Sequence, residues 1–398
     1  MSVSRRGFIR SLADGRALSG GVFLAARGHE AWVGEHGRGV GQAAAPGDRA
    51  RDAIRLNSNE NPLGPSAAAR AAIEKAFAYA GRYPMNAKPA IADFRSLIAS
   101  RHQLKIDSVS LGAGSGEILE CAVQAFTSGS RALVSASPTF ESPARIARHF
   151  GTPVNEVPVD AAGKLDLERM IAASAGAGLV FVCNPNNPTA TVHPGAAITD
   201  LVTRIRKASP DTVILIDEAY HDYVTDPSYA TAVPLAAADP NVLVSRTMSK
   251  LHGMAGLRLG YVVGQPEAIA KLSRWTMPYN ANALAVAAAM VSVGDEEQIA
   301  RERRRNTEAL KFTTDFVRSA GFHATDSQAN FIWVDIKRPA KNFREACEKQ
   351  GILVGRDFPP FEKTHCRISV GTMDEMRRAV AVFRSALALT TTSTQSGR

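Results

Sequence analysis

Ser245-Arg246-Thr247-Met248-Ser249-Lys250-Leu251-His252-Gly253-Met254-Ala255-Gly256-Leu257-Arg258-Leu259-Gly260 follows an apolar run, Asn241-Val242-Leu243-Val244, that reads as a buried strand. A lysine at the mouth of such a strand, set among small hydroxyl residues, is poorly placed for packing and well placed for chemistry. Desolvation and a nearby cation can keep its amine neutral, which makes Lys250 a candidate nucleophile or Schiff-base former. Arg258 stands between glycines that let the backbone come close to a ligand. Together with Thr247 and Ser249 it can cradle a phosphate dianion. The competing reading is a strand, a turn and a helix with one solvated lysine.

Working outward, three more strand ends carry candidate ligand groups, two polar and one aromatic. Thr212-Val213-Ile214-Leu215-Ile216 reads as a buried parallel-type strand that runs into Asp217-Glu218-Ala219-Tyr220. A carboxylate there is costly without a cationic partner, and a protonated ring nitrogen is such a partner; the alternative is a strand-end Asp satisfied by its neighbours. Gly178-Leu179-Val180-Phe181-Val182-Cys183 opens into Asn184-Pro185-Asn186-Asn187-Pro188-Thr189. Its two X-Pro steps predict an extended turn from which Asn187 projects to donate to a phenolic oxygen. Residues 131–137 are strand-like and end in Pro138-Thr139-Phe140, whose ring either packs in the core or stacks on a planar heterocycle.

Val109-Ser110-Leu111-Gly112-Ala113-Gly114-Ser115-Gly116-Glu117 reads as a strand, a glycine turn and a helix start. Amides at that helix start, Ser115 and Gly116 among them, can bind phosphate. Glu117 replaces the last glycine of a dinucleotide loop, so phosphate binding is the better reading. These strands alternate with helical segments such as residues 194–208, the pattern of an α/β protein with a mainly parallel sheet. Ligand groups in such sheets gather outside the carboxyl ends of the strands.

The totals narrow the function classes. The chain has 398 residues, 45% hydrophobic and 21% charged, with net charge +9. Residues 1–50 contribute +3 of that, and no basic stripe with interleaved aromatics argues for nucleic acid. Cys121, Cys183, Cys347 and Cys366 lie far apart, without metal-type spacing or a disulfide framework. No apolar run reaches the roughly 18 residues of a membrane span. Ser4-Arg5-Arg6-Gly7-Phe8-Ile9-Arg10 resembles a twin-arginine export motif, and Ala43-Ala44-Ala45 offers a cleavage site. Residues 1–45 are therefore read as a leader to the periplasm. The alternatives are a disordered basic leader or a start codon upstream of the real one, on a cytoplasmic protein.

The order of these motifs is similar to that of fold-type I, pyridoxal-phosphate-dependent aminotransferases of class I/II, and within them to the histidinol-phosphate aminotransferases. The resemblance rests on Asn59-Glu60-Asn61-Pro62-Leu63-Gly64-Pro65, the Asn184 to Thr189 turn, Asp217 to Tyr220, and Ser249-Lys250 with Arg258. It implies an arm at 46–84 joining a small domain, a large cofactor domain at 85–285, a small α+β domain at 286–390 and a disordered tail at 391–398. It further implies a homodimer, with Tyr83 reaching the partner's cofactor phosphate.

The same resemblance implies that Lys250 carries pyridoxal 5'-phosphate as a Schiff base and serves as general base and acid. Asp217 holds the ring nitrogen, Phe140 stacks on the ring, and Asn187 and Tyr220 hold its oxygen. Ser115, Gly116, Thr247, Ser249 and Arg258 hold the phosphate. Arg367 grips the substrate α-carboxylate, with Asn59, Asn280 and Arg356 also on the substrate side. Two positions depart from the pattern: Leu63 stands where an aromatic is usual, and Gly355 precedes Arg356 where an arginine directly follows the valine. The expected reaction moves an amino group from an amino acid or amino-acid-like donor to a 2-oxo acid. Its rivals are decarboxylation or oxidative deamination on the same cofactor, and a non-catalytic binding protein.

Overall fold

A computed structural model describes residues 53–388. The leader expected at 1–45, the first residues of the arm and the tail at 391–398 lie outside the described residues. From Ala53 onward the chain packs as one unit.

The arm opens with β1 (Ile54–Leu56), and Ser66 caps α1 (Ala67–Ala76) by accepting from the Ala69 amide at 3.1 Å. After α2 (Ile91–Arg101) comes the alternation that the apolar runs predict. It runs through β2 (Val109–Gly112), α3 (Ser115–Phe126), β3 (Leu133–Ser137), α4 (Ser142–His149), β4 (Val154–Pro158) and α5 (Leu167–Ala173). It continues with β5 (Leu179–Cys183), α6 (Gly195–Ala208), β6 (Val213–Asp217), α7 (Val233–Ala238), β7 (Val242–Thr247) and β8 (Gly260–Gly264). Helices α8 (Pro266–Ser273), α9 (Ala283–Ser292) and the long α10 (Glu296–Ser319) follow. The chain closes with β9 (His323–Ala324), β10 (Phe331–Asp335), α11 (Ala340–Glu348), β11 (Ile352–Val354), β12 (His365–Ser369) and α12 (Met373–Ala386).

Seven strands form one sheet in the order β2-β8-β7-β6-β5-β3-β4. Strands β7, β6, β5, β3 and β4 are mutually parallel, and β8 runs antiparallel to both its neighbours. Helices cover both faces, which is why the inner strands β5 and β6 are buried along their whole length rather than alternating, whereas the edge strand β4 is largely exposed. Val180, Val182, Ile214, Ile216 and Val244 enter the core on one face. Leu179, Phe181, Leu215 and Leu243 enter the core on the other. Burying both faces fixes the register, because a one-residue slip would exchange the two sets. The carboxyl ends of β3, β5, β6 and β7 thus come out side by side.

A smaller antiparallel sheet has the order β12-β10-β9. Its core takes Ile332 and Ile368 from the strands, Phe316, Phe343 and Phe383 from α10, α11 and α12, and Ile54 and Leu56 from the arm. β1 pairs parallel with β11, Ile54 opposite Ile352 and Leu56 opposite Val354. α1 packs instead along α9, so the arm ties this sheet to the helices of the larger layer. Among the described residues no helix is long and apolar enough to cross a membrane.

Candidate active site

Lys250 lies three residues beyond the end of β7, half-buried, its Nζ 3.4 Å from the Ser58 carbonyl and 5.7 Å from the centre of the Tyr220 ring. Burial pushes its amine down from 10.5 to about 8, helped by the positive charges of Arg367 and Arg258. An amine at that value is largely available as a base under mildly alkaline conditions, unlike a solvated lysine.

Asp217 is the last residue of β6, in register with Cys183 of β5 and Ser245 of β7. It is buried, and Ser245 Oγ donates to its Oδ1 at 2.7 Å. Burial raises its carboxyl from 3.8 to about 6, against the lowering effects of the Ser245 hydrogen bond and the Lys250 charge. The next residue shows the contrast. Glu218 is equally buried but fully partnered, accepting from Arg246 Nε and NH2 at 3.0 and 2.8 Å, Thr231 Oγ1 at 2.8 Å and the Ala232 amide at 2.7 Å. That network pins the turn after β6 to β7, so Asp217 is held in place while its own charge has a hydroxyl for company.

Tyr220 is buried, its ring edge-on to Phe331 at 5.1 Å, and its hydroxyl accepts from Asn59 Nδ2 at 3.0 Å. Asn59 adopts the left-handed backbone region that asparagine tolerates, with φ 55. Its amide donates to Ser369 Oγ at 2.9 Å, and that hydroxyl donates back to its Oδ1 at 2.6 Å. With its acceptor side filled by Asn59, the Tyr220 hydroxyl keeps its proton to donate elsewhere.

Arg367 projects from β12. NH1 donates to Asn187 Oδ1 at 2.8 Å and NH2 to the Asn57 carbonyl at 2.5 Å. Its guanidinium lies over Phe331 and Phe358, 5.6 and 4.9 Å from the ring centres. Burial lowers it to about 10. Its Nε and the Oδ1 of Asn57 are both buried without a hydrogen-bond partner. Such orphaned groups are costly unless a ligand completes them.

At the other end of the site α3 starts at Ser115 with no side-chain cap, leaving the first-turn amides available. Arg258, itself left-handed with φ 53, lies across this turn, NH2 donating to the Ala113 carbonyl at 3.2 Å. Gly114 has φ 78, and a Cβ there would run into the Arg258 guanidinium. Thr247 Oγ1 donates to Ser249 Oγ at 2.9 Å, and Arg258 NH1 comes within 3.4 Å of that hydroxyl. The amides near Ser115 and Gly116, two hydroxyls and a guanidinium form an anion cradle. Phe140 lies three residues past β3, half-buried against the core.

Over residues 51–383 the sequence matches the model of the family described as Aminotransferase class I and II. The chain belongs to this aminotransferase family. The aminotransferase is 36% identical over 338 residues to a histidinol-phosphate aminotransferase of Symbiobacterium thermophilum, covering 84% of this chain and 91% of that one. It superposes on a putative histidinol-phosphate aminotransferase from Erwinia carotovora with a TM-score of 0.80 at 32% identity, covering 84% of this chain and 96% of that one. A histidinol-phosphate aminotransferase from Sinorhizobium meliloti, solved in complex with pyridoxal-5'-phosphate, matches with a TM-score of 0.76 at 23% identity over 84% and 91% of the two chains. The fold is fold type I.

Not every expected site residue of the aminotransferase joins this cluster. Asn280 Nδ2 donates to the Leu111 carbonyl and to Glu117 Oε2, both at 2.9 Å, which fastens the chain after Trp275 to the glycine turn. Tyr83 is 66% exposed and lies against Tyr279 at 5.1 Å. Arg356 turns to Glu141 and to the Phe358 ring. Asn59, by contrast, does join it, through its hydrogen bond to Tyr220. Residue reading missed Asn57, Ser245 and Ser369 as partners of Arg367, Asp217 and Asn59. Ser245 was within reach of sequence logic, since adjacent parallel strands that end together place their last residues side by side.

Proposed function

We propose that the chain catalyses pyridoxal-phosphate-dependent transamination, moving an amino group from an amino acid or amino-acid-like donor to a 2-oxo acid such as 2-oxoglutarate. One observation carries this reading: a lysine with a depressed pKa lies within electrostatic reach of a buried carboxylate whose hydrogen-bond partner is a hydroxyl and of an arginine with an unpartnered Nε. The names of its relatives make histidinol phosphate the first donor to test.

The residues present fit the cofactor. Ser115, Gly116, Thr247, Ser249 and Arg258 would hold its phosphate. Asp217 would face the ring nitrogen, Asn187 and Tyr220 the ring oxygen, and Phe140 the ring face. Lys250 would hold its aldehyde carbon. When bound, the cofactor supplies an electron sink for the negative charge that develops at the substrate Cα. Lys250 removes the Cα proton and returns it, a task suited to an amine brought near working pH. Asp217, when ionised, would gain a cationic hydrogen-bond partner in a protonated ring nitrogen. Arg367 takes the α-carboxylate in a two-pronged grip that also completes its Nε.

Two further readings belong here. Exposed apolar groups at Met277 (71%), Tyr83 (66%) and Trp275 (52%) support a homodimer in which Tyr83 serves the partner's site. The twin-arginine leader supports export of the folded protein to the periplasm. Fractionation of cells producing the full chain tests this, and full-length protein confined to the cytoplasm overturns it.

An absorbance scan of the purified protein with pyridoxal phosphate tests the reaction. A visible band that bleaches with an amino donor and returns with 2-oxoglutarate is expected, and Lys250→Ala should abolish the cycle. A wild-type band that no donor bleaches overturns transamination, and absence of any band overturns the role of Lys250.

A further inference from the structure

The rim of the site carries an ion pair that the reaction chemistry does not use. Glu141, the residue after Phe140, immediately precedes α4 without capping it and reaches Arg356 on the loop after β11, with Oε1 and NH2 2.5 Å apart. Both side chains are about half exposed, 51% and 47%. Arg356 also lies over Phe358, 4.2 Å from its ring centre, and NH1 donates to the Asp357 carbonyl at 2.9 Å. The same buried Phe358 ring carries Arg367, at 4.9 Å. Two guanidinium groups over one ring are therefore no more than about 9 Å apart. One of them is the group assigned to the α-carboxylate. A five-carbon dicarboxylate, with about 5 Å between its end carbons, can reach from one to the other.

The charges paired directly with Arg356 and its neighbour are offset, leaving Arg367 as the cation beyond them. Glu141 offsets Arg356, and Asp357 is held by Arg344 at 2.6 Å. No further cation can come from the strand before it. Gly355 is buried with its amide bonded to the Arg367 carbonyl at 2.8 Å, and a Cβ there would lie 2.5 Å from that oxygen. An incoming anion must thus displace Glu141 from Arg356 and then sit beside the displaced carboxylate. A half-exposed pair of this kind is weak, so displacement is feasible but sets a bias.

We propose that Glu141 is a specificity-determining residue: by holding Arg356 it offsets the charge at the distal end of the substrate site, so the enzyme favours donors with uncharged side chains and binds anionic ends, those of histidinol phosphate and 2-oxoglutarate included, more weakly without excluding them. The assignment deepens the transamination reading by naming its donor class, yet its binding test stands without turnover. Glutarate carries both carboxylates and no reacting group, whereas butyrate carries one.

Calorimetric titration of the holoenzyme with each, for the wild type, Glu141→Gln and Arg356→Gln, reads the effect directly. Glu141→Gln should tighten glutarate about 3- to 10-fold and leave butyrate unchanged, and Arg356→Gln should weaken glutarate and remove the gain in the double variant. In steady-state assays the same Glu141→Gln change should lower KM for glutamate and for phosphorylated donors, with little change in kcat for an aliphatic donor. A glutarate affinity untouched by Glu141→Gln, or glutarate and butyrate shifting by the same factor, overturns the proposal. Selective glutarate tightening without any transamination would keep the proposal and reject the reaction instead.

Discussion

Asp217 and Lys250 have pKa values displaced toward each other, and each displacement predicts a measurable pH dependence. The Asp217 carboxyl is raised from 3.8 to about 6, so between those values the native protein without cofactor binds more protons than the unfolded chain. Its stability must fall as pH rises through that window, leaving a cost on the order of 1–3 kcal/mol above pH 6. Asp217→Asn should therefore raise the Tm of cofactor-free protein by a few degrees at pH 7.5 and hardly at all at pH 4, while removing turnover. Calorimetry at the two pH values checks it; an equal shift at both would mean that the carboxylate carries no such cost. Lys250 has the opposite sign, its amine lowered from 10.5 to about 8. Labelling of cofactor-free protein by an amine-directed reagent, followed at this residue by peptide mass analysis, should rise with a midpoint near pH 8. A midpoint near that of the surface lysines would remove the argument for a pre-activated base.

At the scale of elements, the loop after β11 and strand β12 meet so closely that a side chain at residue 355 has no room. Gly355→Ala would press on the Arg367 carbonyl and shift the backbone that aims the guanidinium. The expected loss is about 1–3 kcal/mol of stability. A severalfold rise in KM for the amino donor should accompany it, with cofactor affinity unchanged. Chemical denaturation and steady-state kinetics separate the two effects. The elements also show what periodicity can and cannot reveal. The apolar runs of β5, β6 and β7 announce buried parallel strands, and the Asn-Pro and glycine turns announce their exits. Nothing in residues 54–56 or 352–354 announces that they pair with each other across almost 300 positions. Long-range pairing leaves no local signal, because each strand reads alike whichever partner it takes.

For the whole molecule, the exposed Tyr83, Met277 and Tyr279 sit on no described core, which supports burial against a second copy. Light scattering should give twice the chain mass at micromolar concentration. Met277→Glu with Tyr279→Glu should yield folded monomer that retains cofactor poorly, since both side chains are solvent-facing in the single chain. A monomeric wild type would overturn the shared site.

By itself the sequence marked the candidate groups: Arg367, in the middle of β12, only through the resemblance, but Lys250, Asp217, Tyr220, Asn187 and Arg258 at a strand end or in a turn whose local pattern is readable. That is so because a parallel sheet covered on both faces forces continuous apolar strands and delivers their polar ends to one edge. Only the tertiary structure decided the partners. Asn59 faces Tyr220 rather than standing alone on the substrate side, Asn280 is tied to Glu117, and Arg356 is neutralised by Glu141. Those pairings depend on two sheets and an arm arriving at one cleft, and side-chain distances between remote segments are fixed by packing rather than by spacing along the chain.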